Sequence, residues 1–491
     1  MKIRLAGYNI DYETIMDIED TFADLDSLTP ETIAAAYARI SRSPKGVDEL
    51  RAAARAEVDK ARASNETIVF AMGHSSIAEH AVFNVDVIGV SRLLVEEIER
   101  FRLCSFTEKS QRYVLLKDDY VLPGEIAEAG LANEFRDLVA RQNSFYRRCY
   151  EGLLAHLGKG EGGGHPDGER RFALEGLAKE DARYCLSLAT QTQLGMTANA
   201  RNVELMIRRL AAHPLGEARE FARALFKATR NVAPSLIRYT EATDYDRLTR
   251  RELTKAAEGI LSESGRTGRA QNGDVELIWF TPDADDRLAA FLLHSSSQRP
   301  LGECLAAAAS LSPARKEEIF HAALRRLGPH DPVLREFEYA DLVFELVVSA
   351  SCFAQLKRHR MATLTTQAYD PSLGVTVPPA VAAAGLEGEF REVMEKTKET
   401  YERVRRAAPE AASYCLTNAH RRRVAMKVNA RELYHMARLR EDAHAQWDIR
   451  HLVGAMIARA REVMPLTMTL ACGKDRFPGL FAEVFPAGGA S

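Results

Sequence analysis

The chain is poor in the features that mark several common classes of protein. No run of apolar residues approaches the length of a membrane span. The opening MKIRLAGYNIDYETI has no apolar core of a secretory signal, so a cytoplasmic location is expected. Seven cysteines (Cys104, Cys149, Cys185, Cys304, Cys352, Cys415, Cys472) form no Cys-x-x-Cys pair, so neither a disulfide framework nor a zinc site is expected. There is little excess of either charge, since 66 Lys plus Arg face 69 Asp plus Glu for a net charge of -3. That balance argues against nucleic-acid binding by bulk electrostatics, and any anion site must be local.

What is present is length and internal repetition. At 491 residues the chain exceeds the usual span of one hydrophobic core. YCLSLATQTQLGMTANAR from Tyr184 to Arg201 lies without a gap over YCLTNAHRRRVAMKVNAR from Tyr414 to Arg431. SRLLVEEIERFR from Ser91 to Arg102 lies likewise over SASCFAQLKRHR from Ser349 to Arg360. The order and spacing of the blocks recur, so we read a first domain over 1–245, a linker over 246–273 with a short helix in it, and a second domain over 274–491. The glycine-rich 158–169 follows no strand and reads as an inserted surface loop rather than a phosphate loop.

The coarse secondary structure repeats as well. Val82 to Val87 alternates as a half-buried strand and Leu342 to Val347 is a more apolar one, each followed by a helix ending at an Arg-x-Arg element. Trp447, Ile449, Val453, Met456, Ile457 and Ala460 recur at helical spacing, and Pro214 can open a matching helix through Phe221, Leu225 and Phe226. The expected fold class is α+β.

The densest polar segment is RFRLCSFTEKSQRY, from Arg100 to Tyr113. Its arginines suit phosphate oxygens, while its serines and glutamate can read a sugar or base. The same residues also describe a helix ending in arginine followed by a solvated turn. Physical chemistry alone leaves both readings open.

Arg100-Phe101-Arg102, with Ser105, Glu108, Ser110 and Arg112 after it, resembles the Arg-His-Arg-x-x-Ser and Ser-x-Arg signature of the flavin-dependent thymidylate synthases. Phe101 stands where the family has His. Gly73 to His80 resembles the family's His-Glu-Ser-x-x-Glu-His segment, and Asn429 to Leu433 with Ala445 to Arg450 resembles its second block. The resemblance covers both halves. It implies two homologous domains, each a mainly antiparallel sheet packed with helices. It also implies methylation of dUMP to dTMP with methylenetetrahydrofolate as carbon donor, FAD as cofactor and NADPH as reductant. No metal, nucleic-acid or membrane partner is implied, and the family's tetramers imply a homodimer of this double-length chain with pseudo-tetrameric arrangement.

Carried over position by position, the resemblance divides the site between the halves. For dUMP it implies Glu108, Ser110, Gln111, Arg112 and Arg183 from the first half, where the second has Thr366, Ala368, Asp370 and Ser413 at the places of Glu108, Ser110, Arg112 and Arg183. From the second half it implies Gln355, Arg358 and Arg440, where the first has Glu97, Arg100 and Leu210. Arg440 is implied as the group that stabilises ionised N3 of the uracil. For FAD it implies His74, Ser76, Glu79, Arg100 and Arg102, together with His359, Arg360, Asn429, Arg431, His435 and His444. The losses in the halves are complementary, which points to one composite site. A rival reading is a catalytically inactive dUMP- or flavin-binding paralogue, and a further one a scaffold with neither ligand.

Overall fold

The computed structural model describes residues 1–11, 13–15, 28–40, 43–159, 168–263 and 273–486. In chain order the elements that matter here are β1 (Lys2–Tyr8), β2 (Val82–Ser91), α1 (Arg92–Ile98), β3 (Cys104–Glu108), α2 (Ala132–Lys159), α3 (Gly168–Ala182), β4 (Gln191–Asn199), α4 (Ala200–Ala211), α5 (Gly216–Thr229) and α6 (Asp244–Glu263). A second series follows: β5 (Val275–Phe280), β6 (Asp341–Ser349), α7 (Ala350–Leu356), β7 (Thr363–Thr366), α8 (Glu387–Ala407), β8 (Arg421–Asn429), α9 (Ala430–Arg440) and α10 (Trp447–Val463).

Each series builds one four-stranded antiparallel sheet, in the orders β1-β2-β4-β3 and β5-β6-β8-β7. The fold is therefore α+β, with two copies of one topology. Alternation explains the one-sided burial of each sheet: Phe83, Val85 and Val87 on β2 and Leu194, Met196 and Ala198 on β4 point into the core, while Asn84, Asp86 and Gly195 face out.

The repeat extends to single hydrogen bonds. Ser91 ends β2 and caps α1 by accepting from the Leu94 amide, as Ser349 ends β6 and accepts from Cys352. Asn199 and Asn429 cap α4 and α9 in the same way, through the amides of Asn202 and Glu432. One difference is local. β2 carries a bulge between Ile88 and Val90, and the extra residue, Gly89, takes φ 73°, a conformation that a side chain at this position would strain. The bulge lets β2 be longer than β6 while Ser91 still faces Gln191, as Ser349 faces Arg421.

The chain packs as two compact units, Met1–Thr267 with Pro379–Thr417 and Gly268–Pro378 with Asn418–Ser491. Within the first unit α8 lies on α2. The buried Gln142 amide donates to Thr397 Oγ1 and to the Cys415 carbonyl, both at 2.9 Å, and Phe145 meets Phe390 edge-on at 6.2 Å. Arg403 pairs with Glu134 at 2.5 Å, and the Leu188 amide donates to Leu416 O at 2.8 Å. Buried amides must find acceptors, so these bonds fix the second-half segment in the first unit. The second unit has its own core, in which Phe344, Leu346, Met426, Leu433, Val453 and Met456 are buried together.

The segment expected to hold a short helix carries the 20-residue α6, largely exposed. The stretch 158–169, expected as a loop, is helical at both ends, where α2 closes and α3 opens, and 160–167 lie outside the described residues. Among the described residues no helix is long and apolar enough to cross a membrane.

Candidate functional site

Each unit concentrates polar side chains after the serine-capped helix that follows its second strand, α1 or α7, and the two concentrations differ in kind. In the first unit β3 delivers Glu108, and the turn beyond it carries Ser110, Gln111 and Arg112. The Ser110 hydroxyl accepts from the Arg112 amide at 3.2 Å, which fixes this turn. Glu180, near the end of α3, holds Arg112 through Nε at 2.5 Å. The carbonyl of the same Glu180 accepts from Arg183 Nε at 3.1 Å, so one residue positions both arginines. Arg92, the first residue of α1, is buried with its guanidinium 4.0 Å from Glu108 and 3.9 Å from Glu96.

Burial pulls the pKa of Arg183 down, and the charges of Arg112 and Arg92 push the same way. Three guanidiniums thus share one electrostatic neighbourhood. Glu108 keeps a carboxylate oxygen buried without a hydrogen-bond partner, and Gln111 is buried beside Arg112 in the chain. Such a setting suits an anion that also offers hydroxyl donors.

In the second unit α7 ends in a turn that buries His359 between two exposed arginines, Arg358 and Arg360. His359 Nδ1 lies 3.1 Å from Glu432 Oε1, and His359 Nε2 accepts from Arg440 Nε at 3.0 Å. A nitrogen that accepts from a guanidinium carries no proton, so this network assigns the ring proton to Nδ1, directed at Glu432. Burial lowers the His359 pKa, and the charges of Arg440 and His435 lower it further against the opposing bond to Glu432. The ring is held neutral in one tautomer. Gln355 joins the group at both ends: its carbonyl lies 3.5 Å from Arg440 NH2 and its amide donates to Gln446 at 3.1 Å. The His435 ring stands edge-on to His359 at 5.9 Å.

The structure thus gathers Glu108, Gln111, Arg112 and Arg183 in one unit, and Gln355, His359, His435 and Arg440 in the other. Other expected residues are differently engaged. Arg100 is exposed and paired with Glu97 at 3.0 Å, and Arg102 is exposed. His74 and Ser76 lie exposed at a 3-10 turn, while Glu79 pairs with Arg201 at 2.5 Å. The Asn429 side chain caps α9, and Arg431 is held by Glu338 at 2.9 Å and by the Val333 carbonyl. His444 is 95% exposed beside Asp442. Arg92, Glu180, Glu432 and Gln446 escaped the sequence reading. Glu432 could have been found, because Glu432, His435 and Arg440 fall at i, i+3 and i+8 on one face of α9.

At the counterpart positions the chemistry is absent. Phe101 and Leu210 are buried where the second unit has His359 and Arg440. Asp370 stands where the first half has Arg112, and its carboxylate caps a 3-10 turn through the Ser372 amide at 2.8 Å. A shallow groove on the open face of the first sheet, lined by Asn84, Asp86, Ser105, Thr107 and Thr197, contains none of the expected residues.

The chain is thus built from two copies of one α+β topology, each with its own polar cluster. The family described as thymidylate synthase complementing protein matches residues 25–235 and 276–466. The chain belongs to this family, that of the flavin-dependent thymidylate synthases. It is 30% identical over 214 residues to the flavin-dependent thymidylate synthase of Clostridium tetani, covering 43% of this chain and 82% of that one. The corresponding protein of Geobacter sulfurreducens is 29% identical over 217 residues, 43% of this chain and 81% of that one. A UPF0159 protein of Thermoplasma acidophilum is 24% identical over 432 residues, 80% of this chain and 85% of that one.

Proposed function

We propose that the protein methylates dUMP to dTMP reductively, with methylenetetrahydrofolate giving the carbon and NADPH the electrons through FAD. The observation that carries this reading is the division of polar groups: a basic cluster with Arg112 and Arg183 in one unit, and a Glu432–His359–Arg440 chain in the other. Arg112 and Arg183 hold the phosphate by charge-assisted bonds, with Ser110 and Gln111 beside them. Glu108 accepts a sugar hydroxyl at its buried oxygen. Gln355 and Arg358 orient the nucleotide, and Arg440 faces the uracil, where its fixed charge stabilises ionised N3.

The donor set of the second unit fits an anionic dinucleotide. Arg358 and Arg360 are exposed on either side of His359, and His435 is exposed near it. Arg360, His359 and His435 are the residues we assign to FAD there, joined by Asn429, Arg431 and His444, and by His74, Ser76, Glu79, Arg100 and Arg102 of the first unit. When bound, the flavin supplies the electrons that no side chain here can provide. His359, neutral and immobilised by Glu432, orients Arg440 without competing for its charge.

Phe101 and Leu210 favour a second reading, in which the chain binds dUMP or flavin without turning over. Purified protein assayed for dUMP-dependent NADPH oxidation decides between them. Turnover supports the enzyme. A yellow protein, absorbing near roughly 450 nm as oxidised flavins do, that melts higher with dUMP yet oxidises no NADPH supports the binding paralogue. No response to either ligand removes both. We further place the protein in the cytoplasm as a homodimer, which size-exclusion chromatography with light scattering checks.

A further inference from the structure

Arg92 sits where a cation is expensive. It is the first residue of α1, at the positive end of a helix, and its side chain is buried. Two more arginines, Arg112 and Arg183, are near enough for their charges to matter, and Arg183 feels both of the others. Glu96 and Glu108 offset part of this cost at 3.9 Å and 4.0 Å. The fold itself does not demand the arginine. The second unit builds the same serine cap and the same seven-residue helix with Ala350 in its place. The arginine therefore stands in the unit that also keeps Arg112 and Arg183, and is replaced by alanine where those become Asp370 and Ser413.

We propose that Arg92 is a third phosphate-binding residue, acting with Arg112 and Arg183 on the monophosphate of a pyrimidine nucleotide. This rests on the proposed dUMP reading and adds to it a residue that sets the preference for nucleotide over nucleoside. The phosphate meets guanidinium groups from three places in the fold: the start of α1, the turn after β3 and the residue after α3. Its negative charge relieves the repulsion among them.

Calorimetric titration of the full-length protein with dUMP and with deoxyuridine tests the assignment. Arg92→Ala should weaken dUMP binding at least about tenfold, the size of one lost charge-assisted contact, and change deoxyuridine binding less than about twofold. Arg92→Lys should recover part of the loss, since it restores a charge without the planar fork. If Arg92→Ala does not fold, Arg92→Met, which keeps the apolar stem, carries the same expectation. Unchanged dUMP affinity in a folded variant overturns the role of Arg92 alone. Parallel losses for nucleotide and nucleoside also overturn it, showing a packing role. Absence of dUMP binding by the unaltered protein removes the nucleotide reading and this inference with it.

Discussion

The two units share a strand order, two helix caps and the place at which polar groups collect, yet they fill that place with opposite solutions. The first buries arginines against glutamates and surrounds Phe101 with core. The second buries one neutral histidine between a carboxylate and an arginine, and puts Thr366 and Asp370 where the first has Glu108 and Arg112. A phosphate dianion is attracted to the first arrangement and repelled by Asp370 in the second. The comparison teaches that two copies of one topology keep the same helix caps while the polar side chains that gather beside them differ. The scaffold's own requirements, Ser91 and Ser349 or Asn199 and Asn429, stay paired because the helix caps need them in both copies.

The strongest way to break this comparison is to remove one charge from each side. Arg112→Ala and Arg440→Ala should each lower dUMP turnover at least about a hundredfold, because each leaves developing or bound negative charge without its partner. Asp370→Ala should leave dUMP affinity within about twofold. Steady-state kinetics and dUMP titration of the three proteins check this, and equal effects at Arg112 and Asp370 would falsify the division between units.

Much of the repeated fold is legible in the sequence. Rare residues at matched spacing, Tyr184 with Tyr414 and the Asn-Ala-Arg elements, reveal the repeat, and apolar patterning places strands at Val82 to Val87 and Leu342 to Val347, inside β2 and β6. The strands β1, β3, β4, β5, β7 and β8 were not read as strands; β3 and β7 are short, and β1 and β5 each have a register irregularity against their neighbour. Nor could the packing of α8 on α2 be seen, because Gln142 and Thr397 meet through tertiary structure rather than any local pattern. In the site, arginines in a known motif were visible. A residue that acts by holding others, such as Glu180, carries no motif and emerges only from its distances.

A buried acid in the first unit gives the next largest effect. Glu217, on α5, accepts from the Ser91 amide at 2.7 Å, from the Ser91 hydroxyl at 2.6 Å and from the Tyr414 hydroxyl at 2.6 Å. Burial raises its pKa, and burial with the neighbouring Glu217 raises that of Tyr414. Glu217→Ala strands three buried donors, so a loss of about 2–4 kcal/mol is expected, and Tyr414→Phe should cost less. Urea unfolding followed by circular dichroism measures both. A smaller loss for Glu217→Ala than for Tyr414→Phe contradicts the hub role. The second unit repeats the device with Ser349 and Asp448 at 2.6 Å.

His359 sharpens the contrast through pH. Its pKa in the fold is lowered, so below the ordinary value of about 6.5 the unfolded chain takes up a proton that the folded one refuses. The stability contribution is complete above that value and is lost as pH falls, with a slope of at most about 1.4 kcal/mol per pH unit. His359→Gln should flatten this part of the profile, and thermal melts of both proteins between pH 7 and pH 5 check it. A histidine protonated against Glu432 would give the opposite sign, with stability lost as pH rises.

The smallest effect is expected where a family residue is restored alone. Phe101→His puts back the middle of the Arg-His-Arg signature in the first unit, but the groups that make His359 useful are missing there. The place of Arg440 is held by Leu210, buried in the core, and that of Glu432 by Asn202. A histidine at 101 therefore lacks both the donor for one ring nitrogen and the carboxylate for the other, and its burial costs about 1–3 kcal/mol for want of partners. Turnover of Phe101→His should stay within about twofold of the unaltered protein, while its melting temperature falls by a few degrees. A clear gain in turnover would mean that the first unit still holds a second, dormant copy of the site, and that the apolar pair of Phe101 and Leu210 is a recent loss rather than a settled division of labour.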